Sequence, residues 1–175
     1  MLKKTGDVLY LGIDESNHGR FPEIFVAVAS FNYQDTVIFS GTQKIRNNTQ
    51  SLFSSLKSRD YRYLIVGKED YRIYGGKKLM PKICSRLLGG FNQNYDFLKI
   101  FIDGEVNREQ KKYLKEFLLE DKCETELISI NQVPKGAHKK SNNIILLADG
   151  WANWIYKQTI QNNLTKGMRE RRLAI

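Results

Sequence analysis

Four acidic residues of this chain end or interrupt strongly apolar segments. Asp14 and Glu15 follow the first apolar run of the chain, Asp103 ends a second run, and Asp149 lies inside a third. Carboxylates are rarely buried without a partner, because taking the charge out of water is costly. These placements therefore predict that the acids meet one another across a divalent cation.

Mg²⁺ and Mn²⁺ are the cations that such a cluster favours, since hard divalent ions prefer oxygen ligands. Two ions about 3.5–4 Å apart would activate a water molecule and stabilise the leaving oxygen in phosphodiester hydrolysis. In this hypothesis Asp14, Asp103 and Asp149 are the metal ligands. Glu15 or Glu105 would supply a fourth carboxylate to the catalytic group.

Each of these acids also has a purely structural interpretation. Asp14 could cap a turn together with Ser16 and Asn17, and Asp103-Gly104 is a common turn sequence. Asp149 could lie half exposed at the edge of a helix. Because every one of these acids is attached to an apolar element, a shared site accounts for all of them at once.

The formal net charge of +9 favours a polyanionic partner such as DNA or RNA. A basic surface around an acidic pocket is typical of metal-dependent enzymes that act on phosphodiesters. In the basic stretch before the third apolar run, Lys139 and Lys140 are predicted to contact backbone phosphates. His18 and His138, the two histidines of the chain, are candidates for proton transfer or phosphate contact, or else have a structural role.

The hydrophobic pattern predicts alternating strands and helices. A helix joins the last two long strands, so these should be parallel, and a short polar stretch joins the first two into an antiparallel hairpin. We therefore expect an α/β fold with a central mixed β-sheet, an antiparallel edge and flanking helices, and with acids meeting at the carboxyl ends of the strands. Predicted strands cover residues 8–14, 23–31, 61–66, 97–103 and 125–130, and predicted helices cover 77–88, 107–120 and 144–162.

A single domain is expected over residues 1–165, followed by a basic tail over residues 166–175 that should fray. No apolar stretch is long enough to cross a bilayer and no signal-peptide pattern is present, so a cytoplasmic protein without membrane association is expected. Cys84 and Cys123 match no metal-finger spacing and are expected to be free, buried thiols. The sequence is compatible with a monomer or a homodimer.

The acidic segments resemble those of the ribonuclease H-like superfamily. Gly12-Ile13-Asp14-Glu15-Ser16 is similar to the opening motif of type 2 ribonuclease H, and also to the Asp-Glu-Ser opening of a poorly characterised bacterial and archaeal family of the same fold, a domain of unknown function. Phe101-Ile102-Asp103-Gly104 is similar to the central-strand segment of both. The stretch from residue 143 to residue 152 is most similar to the final helix of the second family.

This resemblance implies a ribonuclease H-like fold and a nuclease that uses Mg²⁺ or Mn²⁺, as two ions, on DNA or RNA. It implies that Asp14, Asp103 and Asp149 are metal ligands and that Glu15 is a fourth catalytic carboxylate. Asn17-His18 stands where type 2 ribonuclease H has small and basic residues that recognise the hybrid duplex. The alternative function is a catalytically inactive nucleic-acid-binding or protein-interaction module of the same fold.

Overall fold

A mixed β-sheet of six strands forms the centre of the molecule. The computed structural model describes residues 7–16, 20–40, 54–55, 59–91, 95–103, 106–118, 124–130 and 140–175. The strands lie in the order β6-β5-β1-β2-β4-β8, and β3 pairs with β7 in a separate two-stranded sheet. Their bounds are β1 (Val8–Ser16), β2 (Glu23–Ser30), β3 (Phe39–Ser40), β4 (Asp60–Val66), β5 (Phe97–Asp103), β6 (Glu124–Ile130), β7 (Lys140–Ser141) and β8 (Arg172–Leu173).

The direction of the strands brings particular chain ends to one edge of the sheet. β1, β5 and β6 are parallel neighbours, whereas β2 is antiparallel to both β1 and β4. β1 and β5 therefore end, and β2 begins, at the same edge, which we call the carboxyl edge. The predicted hairpin and the predicted parallel pair are both present. The antiparallel strand, however, lies inside the sheet and not at its edge, because β4 and β8 extend the sheet beyond it.

The described part of the chain contains four α-helices with defined bounds and one short 3₁₀ helix (Tyr33–Thr36), and residues 54–55 are also helical. The crossover helix between β5 and β6 begins after Asn107, as the sequence predicts. The Asn107 Oδ1 accepts a hydrogen bond from the Gln110 N–H (2.9 Å), and the Gln110 Oε1 accepts one from the Asn107 N–H (3.0 Å), which forms a capping box. The α-helices are α1 (Lys68–Gly89), α2 (Arg108–Leu118), α3 (Asn143–Ile160) and α4 (Lys166–Glu170).

Helix α1 begins well before the predicted start at residue 77. Its first turn is closed by the Asp70 carboxylate, which accepts a hydrogen bond from the Gly67 N–H (2.7 Å). Gly75 has φ 68° and ψ 153° and interrupts the helix, so α1 consists of two helical parts. Glycine takes this left-handed conformation without the strain that a Cβ would cause. The sequence prediction had found only the part that follows this break.

The sheet carries one hydrophobic layer on each face. Leu9, Leu11 and Ile13 of β1 pack in the layer that contains α1 and α2, whereas Tyr10 packs in the layer that contains α3. Side chains alternate between the two faces of a strand. Asp14 therefore belongs to the α3 face of the sheet, and the neighbouring Glu15 belongs to the α1 face.

Gly12 lets α3 lie directly against β1. A Cβ at this position would lie 2.7 Å from the carbonyl oxygen of Ile144, a backbone atom that cannot easily move away. Two small residues of the same helix, Ala148 and Gly150, are also buried. Close packing of α3 against the sheet thus depends on the absence of a side chain at position 12.

The segment from residue 166 to residue 175 is folded against the sheet, so the expected fraying was wrong. Helix α4 buries Met168, and β8 pairs in parallel with β4. Arg171 forms an ion pair with Asp60 and lies over the ring of Tyr61, 4.5 Å from its centroid. The basic composition of the segment suggested that it would be solvated. Its partners lie about 110 residues earlier in the chain, so no local pattern predicts them.

Two other expectations concern Cys84 and membranes. Cys84 is a free, buried thiol, and burial raises its pKa to about 12, while Cys123 lies outside the described residues. Within the ranges that the structure covers, no helix has both the length and the apolar character needed to cross a membrane.

Candidate carboxylate site

Asp14 and Asp103 lie side by side at the carboxyl edge. β1 and β5 are paired in register up to Ile13 and Ile102, and the two aspartates are the next residues of these strands. Asp14 is only 4% exposed, whereas Asp103 is half-buried. The parallel pairing of two apolar strands is therefore what brings the first two predicted acids together.

Asp149 comes to the same place from α3. Its side chain is half-buried, and its Oδ1 accepts a hydrogen bond of 2.7 Å from the amide Nδ2 of Asn153, one turn later in the helix. The close approach of Ile144 to Gly12 places α3 against the face of β1 on which Asp14 lies. The asparagine amide fixes the orientation of the carboxylate without supplying a positive charge.

The electrostatics of Asp14 show that three other acids are close enough to influence it. Burial raises the pKa of Asp14 well above its usual value, and the negative charges of Asp103, Glu15 and Asp149 raise it further. The backbone N–H of Glu15 donates a hydrogen bond of 2.8 Å to the Asp14 Oδ1 and lowers the pKa in part. A buried carboxylate surrounded by like charges favours any group that brings positive charge.

A further acid at this edge escaped the sequence analysis. Glu23 begins β2, is 3% exposed, and accepts a hydrogen bond of 2.7 Å from the hydroxyl of Tyr71 in α1. Burial, this hydrogen bond and the charges of Glu23 and Glu15 raise the pKa of Tyr71. Side chains alternate along β2 and Phe25 lies on the α1 face, so Glu23 lies on that face too, as does Glu15. The two-residue spacing between Glu23 and Phe25 is the signal in the sequence that could have predicted this placement.

The basic residues and histidines predicted to contact phosphate are largely untested. His18, His138 and Lys139, together with Glu105, lie outside the described residues. Lys140 belongs to the two-residue strand β7, which pairs with β3 apart from the main sheet. Exposed basic side chains are instead found on α1 and α2: Lys78, Arg86, Arg108, Lys111, Lys112 and Lys115.

The donor set at the carboxyl edge has the chemistry of a site for a hard divalent cation, since it consists of carboxylate oxygens. Within the described ranges, however, no group of three acidic, histidine or cysteine side chains is arranged closely enough to hold a metal ion. Asp14 nevertheless lies within electrostatic reach of Asp103, Glu15 and Asp149.

Comparisons with known proteins agree with the architecture. No protein-family model matches the chain, and no curated protein matches it. The crystal structure of ribonuclease H2 from Pyrococcus horikoshii OT3 is similar, with a TM-score of 0.57 and 15% sequence identity, over 88% of this chain and 74% of that chain. The chain thus has an α/β, ribonuclease H-like fold, as expected. The resemblance to the poorly characterised family finds no support in these comparisons.

Proposed function

We propose that this protein is a divalent-metal-dependent nuclease that hydrolyses phosphodiester bonds at the carboxyl edge. The observation that carries the proposal is the buried Asp14, whose pKa is raised by burial and by three neighbouring carboxylates from β1, β5 and α3. In an ordinary stabilising ion pair, a positively charged partner would instead lower the pKa of the carboxylate. The ribonuclease H-like fold agrees with a nucleic-acid substrate.

Asp14, Asp103 and Asp149 would hold Mg²⁺ or Mn²⁺, and Glu15 would be the fourth catalytic carboxylate. When bound, two such ions supply a water of lowered pKa and stabilise the charge of the leaving oxygen. The residues of the chain provide position: Asp14 and Asp103 are fixed by strand pairing, and Asn153 orients the Asp149 carboxylate.

Basic side chains are proposed to bind the nucleic-acid backbone. The first turns of α2 follow the end of β5 closely in sequence, and Arg108, Lys111 and Lys112 are exposed there. His18, His138, Lys139 and Lys140 remain proposed phosphate contacts. Affinity for DNA or RNA should then fall steeply with increasing salt, because bound counterions are released on binding. Binding that does not change across a salt series would contradict this interface.

The test of the function compares wild type with Asp103→Asn, Asp149→Asn and Glu116→Gln. Glu116 is an exposed acid of α2 and serves as the matched control for loss of one negative charge. Calorimetric titration with Mn²⁺ and cleavage of labelled DNA and RNA of mixed sequence are measured for all four proteins. We expect both Asn variants to lose Mn²⁺ binding and to lose cleavage by about 100-fold or more, since even outer-shell changes at metal sites cost 10–100-fold.

A second candidate function is a nucleic-acid-binding module of the same fold that does not cleave. The observation that favours it is the spacing of the described carboxylates, of which no three are arranged to hold a metal ion. The same experiment separates the two functions. Wild type that binds the oligonucleotides but gives neither Mn²⁺ heat nor cleavage would favour the inactive module and contradict the nuclease.

A further inference from the structure

Ser16 carries a buried hydroxyl that has no hydrogen-bond partner among the described residues. The residue is the last of β1 and is 2% exposed. A buried polar group that makes no hydrogen bond costs free energy, and most such groups in folded proteins are paired. This hydroxyl therefore calls for an explanation outside the packing of the chain.

Ser30 shows how the same fold treats a buried serine that has a structural role. It lies at the end of β2 and is also 2% exposed. Its hydroxyl donates a hydrogen bond of 2.6 Å to the Asp35 Oδ2 and accepts one of 3.0 Å from the Asn32 N–H. Of these two serines at the ends of neighbouring strands, only Ser30 thus has a hydroxyl that is hydrogen-bonded among the described residues.

The position of Ser16 relates its hydroxyl to the carboxylate site. Ser16 follows Asp14 by two residues, so both side chains lie on the α3 face of β1. Both side chains are buried, with exposures of 2% for Ser16 and 4% for Asp14. The donors described beside the acids, the Glu15 N–H and the Asn153 amide, are already bonded to Asp14 and Asp149.

An anionic substrate at this edge would gain from a hydrogen-bond donor as well as from cations. Ionised carboxylates and phosphodiester oxygens are both acceptors only, so they repel each other unless cations or donors lie between them. Ser16 offers a hydrogen atom that no described group accepts. Hydrogen bonds to charged acceptors are stronger than those between neutral groups.

We propose that the Ser16 hydroxyl donates a hydrogen bond to a non-bridging phosphate oxygen of a nucleic-acid backbone bound at the carboxylate site. Ser16 is then a substrate-binding residue that leaves its hydroxyl unpaired until the substrate arrives. This inference rests on the proposed function for the presence of the substrate. It assigns to Ser16 no part in holding a cation.

The test uses the matched pair Ser16→Ala and Ser30→Ala in the full chain. Binding of a fluorescein-labelled oligonucleotide of mixed sequence, as a DNA duplex and as an RNA–DNA hybrid, is measured by anisotropy with Ca²⁺ in place of Mg²⁺. Melting temperature without ligand and Mn²⁺ affinity are measured alongside. We expect Ser16→Ala to bind the oligonucleotide roughly tenfold or more weakly with unchanged Mn²⁺ affinity, and to melt at the same temperature or roughly 2–4 °C higher.

Ser30→Ala should behave in the opposite way, with a lower melting temperature and unchanged oligonucleotide affinity of the folded protein. Equal oligonucleotide affinity of Ser16→Ala and wild type would overturn the proposal, as would equal weakening by both variants or a loss of Mn²⁺ affinity in Ser16→Ala. Failure of the function itself looks different. In that case wild type gives neither Mn²⁺ heat nor cleavage and Asp103→Asn changes nothing, whereas the comparison of Ser16→Ala with Ser30→Ala is decided by oligonucleotide binding alone.

Discussion

Asp14 and Asp35 are both buried aspartates, and they lie at opposite edges of the same sheet. Asp35, 1% exposed, accepts a hydrogen bond of 2.7 Å from the Arg59 Nε and another from the Ser30 hydroxyl. Burial raises the pKa of Asp35, but the hydrogen bonds from Arg59 and Ser30 and the Arg59 charge bring it below its usual value. At Asp14 burial and the nearby carboxylates all act in the raising direction.

This difference separates an acid that stabilises the fold from an acid whose environment favours a ligand. The buried charge of Asp35 is compensated by Arg59, whereas Asp14 is surrounded by further negative charges. Strongly perturbed carboxylates are common at functional sites because function requires groups that the fold alone does not satisfy. The comparison predicts opposite effects on stability for the same chemical substitution at the two positions.

The largest loss of stability is expected from Asp35→Asn. The substitution removes the charge that compensates the Arg59 guanidinium, whose side chain is 17% exposed, and breaking a buried pair in this way costs about 3 kcal/mol. Urea denaturation would measure the change, and cleavage per folded molecule should stay the same. If the variant were as stable as wild type, Asp35 would not be the structural counterpart of Asp14.

A series of such denaturations at different pH values should sharpen this result. Because Arg59 and Ser30 lower the pKa of Asp35 below its usual value in the folded state, its stabilising contribution is fully present above that usual value and is lost as the pH falls through the folded pKa. Asp35→Asn lacks this contribution at every pH. The gap in stability between wild type and the variant should therefore narrow on acidification, and a gap that stays constant would argue against the ion pair as its cause.

Gly12→Ala should affect the site through the position of α3. The new Cβ would lie 2.7 Å from the Ile144 carbonyl oxygen, so α3 must shift, at a cost of about 1–3 kcal/mol. Mn²⁺ affinity should fall as well, because Asp149 moves with the helix. Gly89→Ala is the matched control, since a Cβ there meets no atom within 4 Å. Equal Mn²⁺ affinity in both variants would show that the site does not depend on this contact.

The smallest change in the stability of the metal-free protein is expected from Asp14→Asn. This change should be a gain, whereas Asp35→Asn should cause a loss. Removing one charge relieves repulsion from Asp103, Glu15 and Asp149, so the metal-free protein should gain roughly 0.5–2 kcal/mol while losing Mn²⁺ binding. Thermal melts without and with Mn²⁺ would measure both changes. Destabilisation of the metal-free variant would place Asp14 in the same structural class as Asp35.

Local patterns predicted those parts of the fold that local interactions determine. The strand Phe97–Asp103 matches its prediction because a continuous apolar run has one obvious interpretation, and α2 begins where Asn107 supplies a cap. The start of α1 was missed, because Gly75 breaks its helical pattern. Glu23 was missed for another reason, since its partner Tyr71 is far away in sequence and only the folded chain brings the two together.

The pairing of β8 with β4 has a consequence for association between molecules. Tyr63 and Leu64 of β4 find parallel backbone neighbours in Arg172 and Leu173, so this side of the long strand is occupied over part of its length. An uncovered strand edge offers unpaired backbone groups to other chains. A variant shortened before residue 166 would expose that edge, and we expect it to self-associate in a concentration-dependent way even where the carboxylate site is intact.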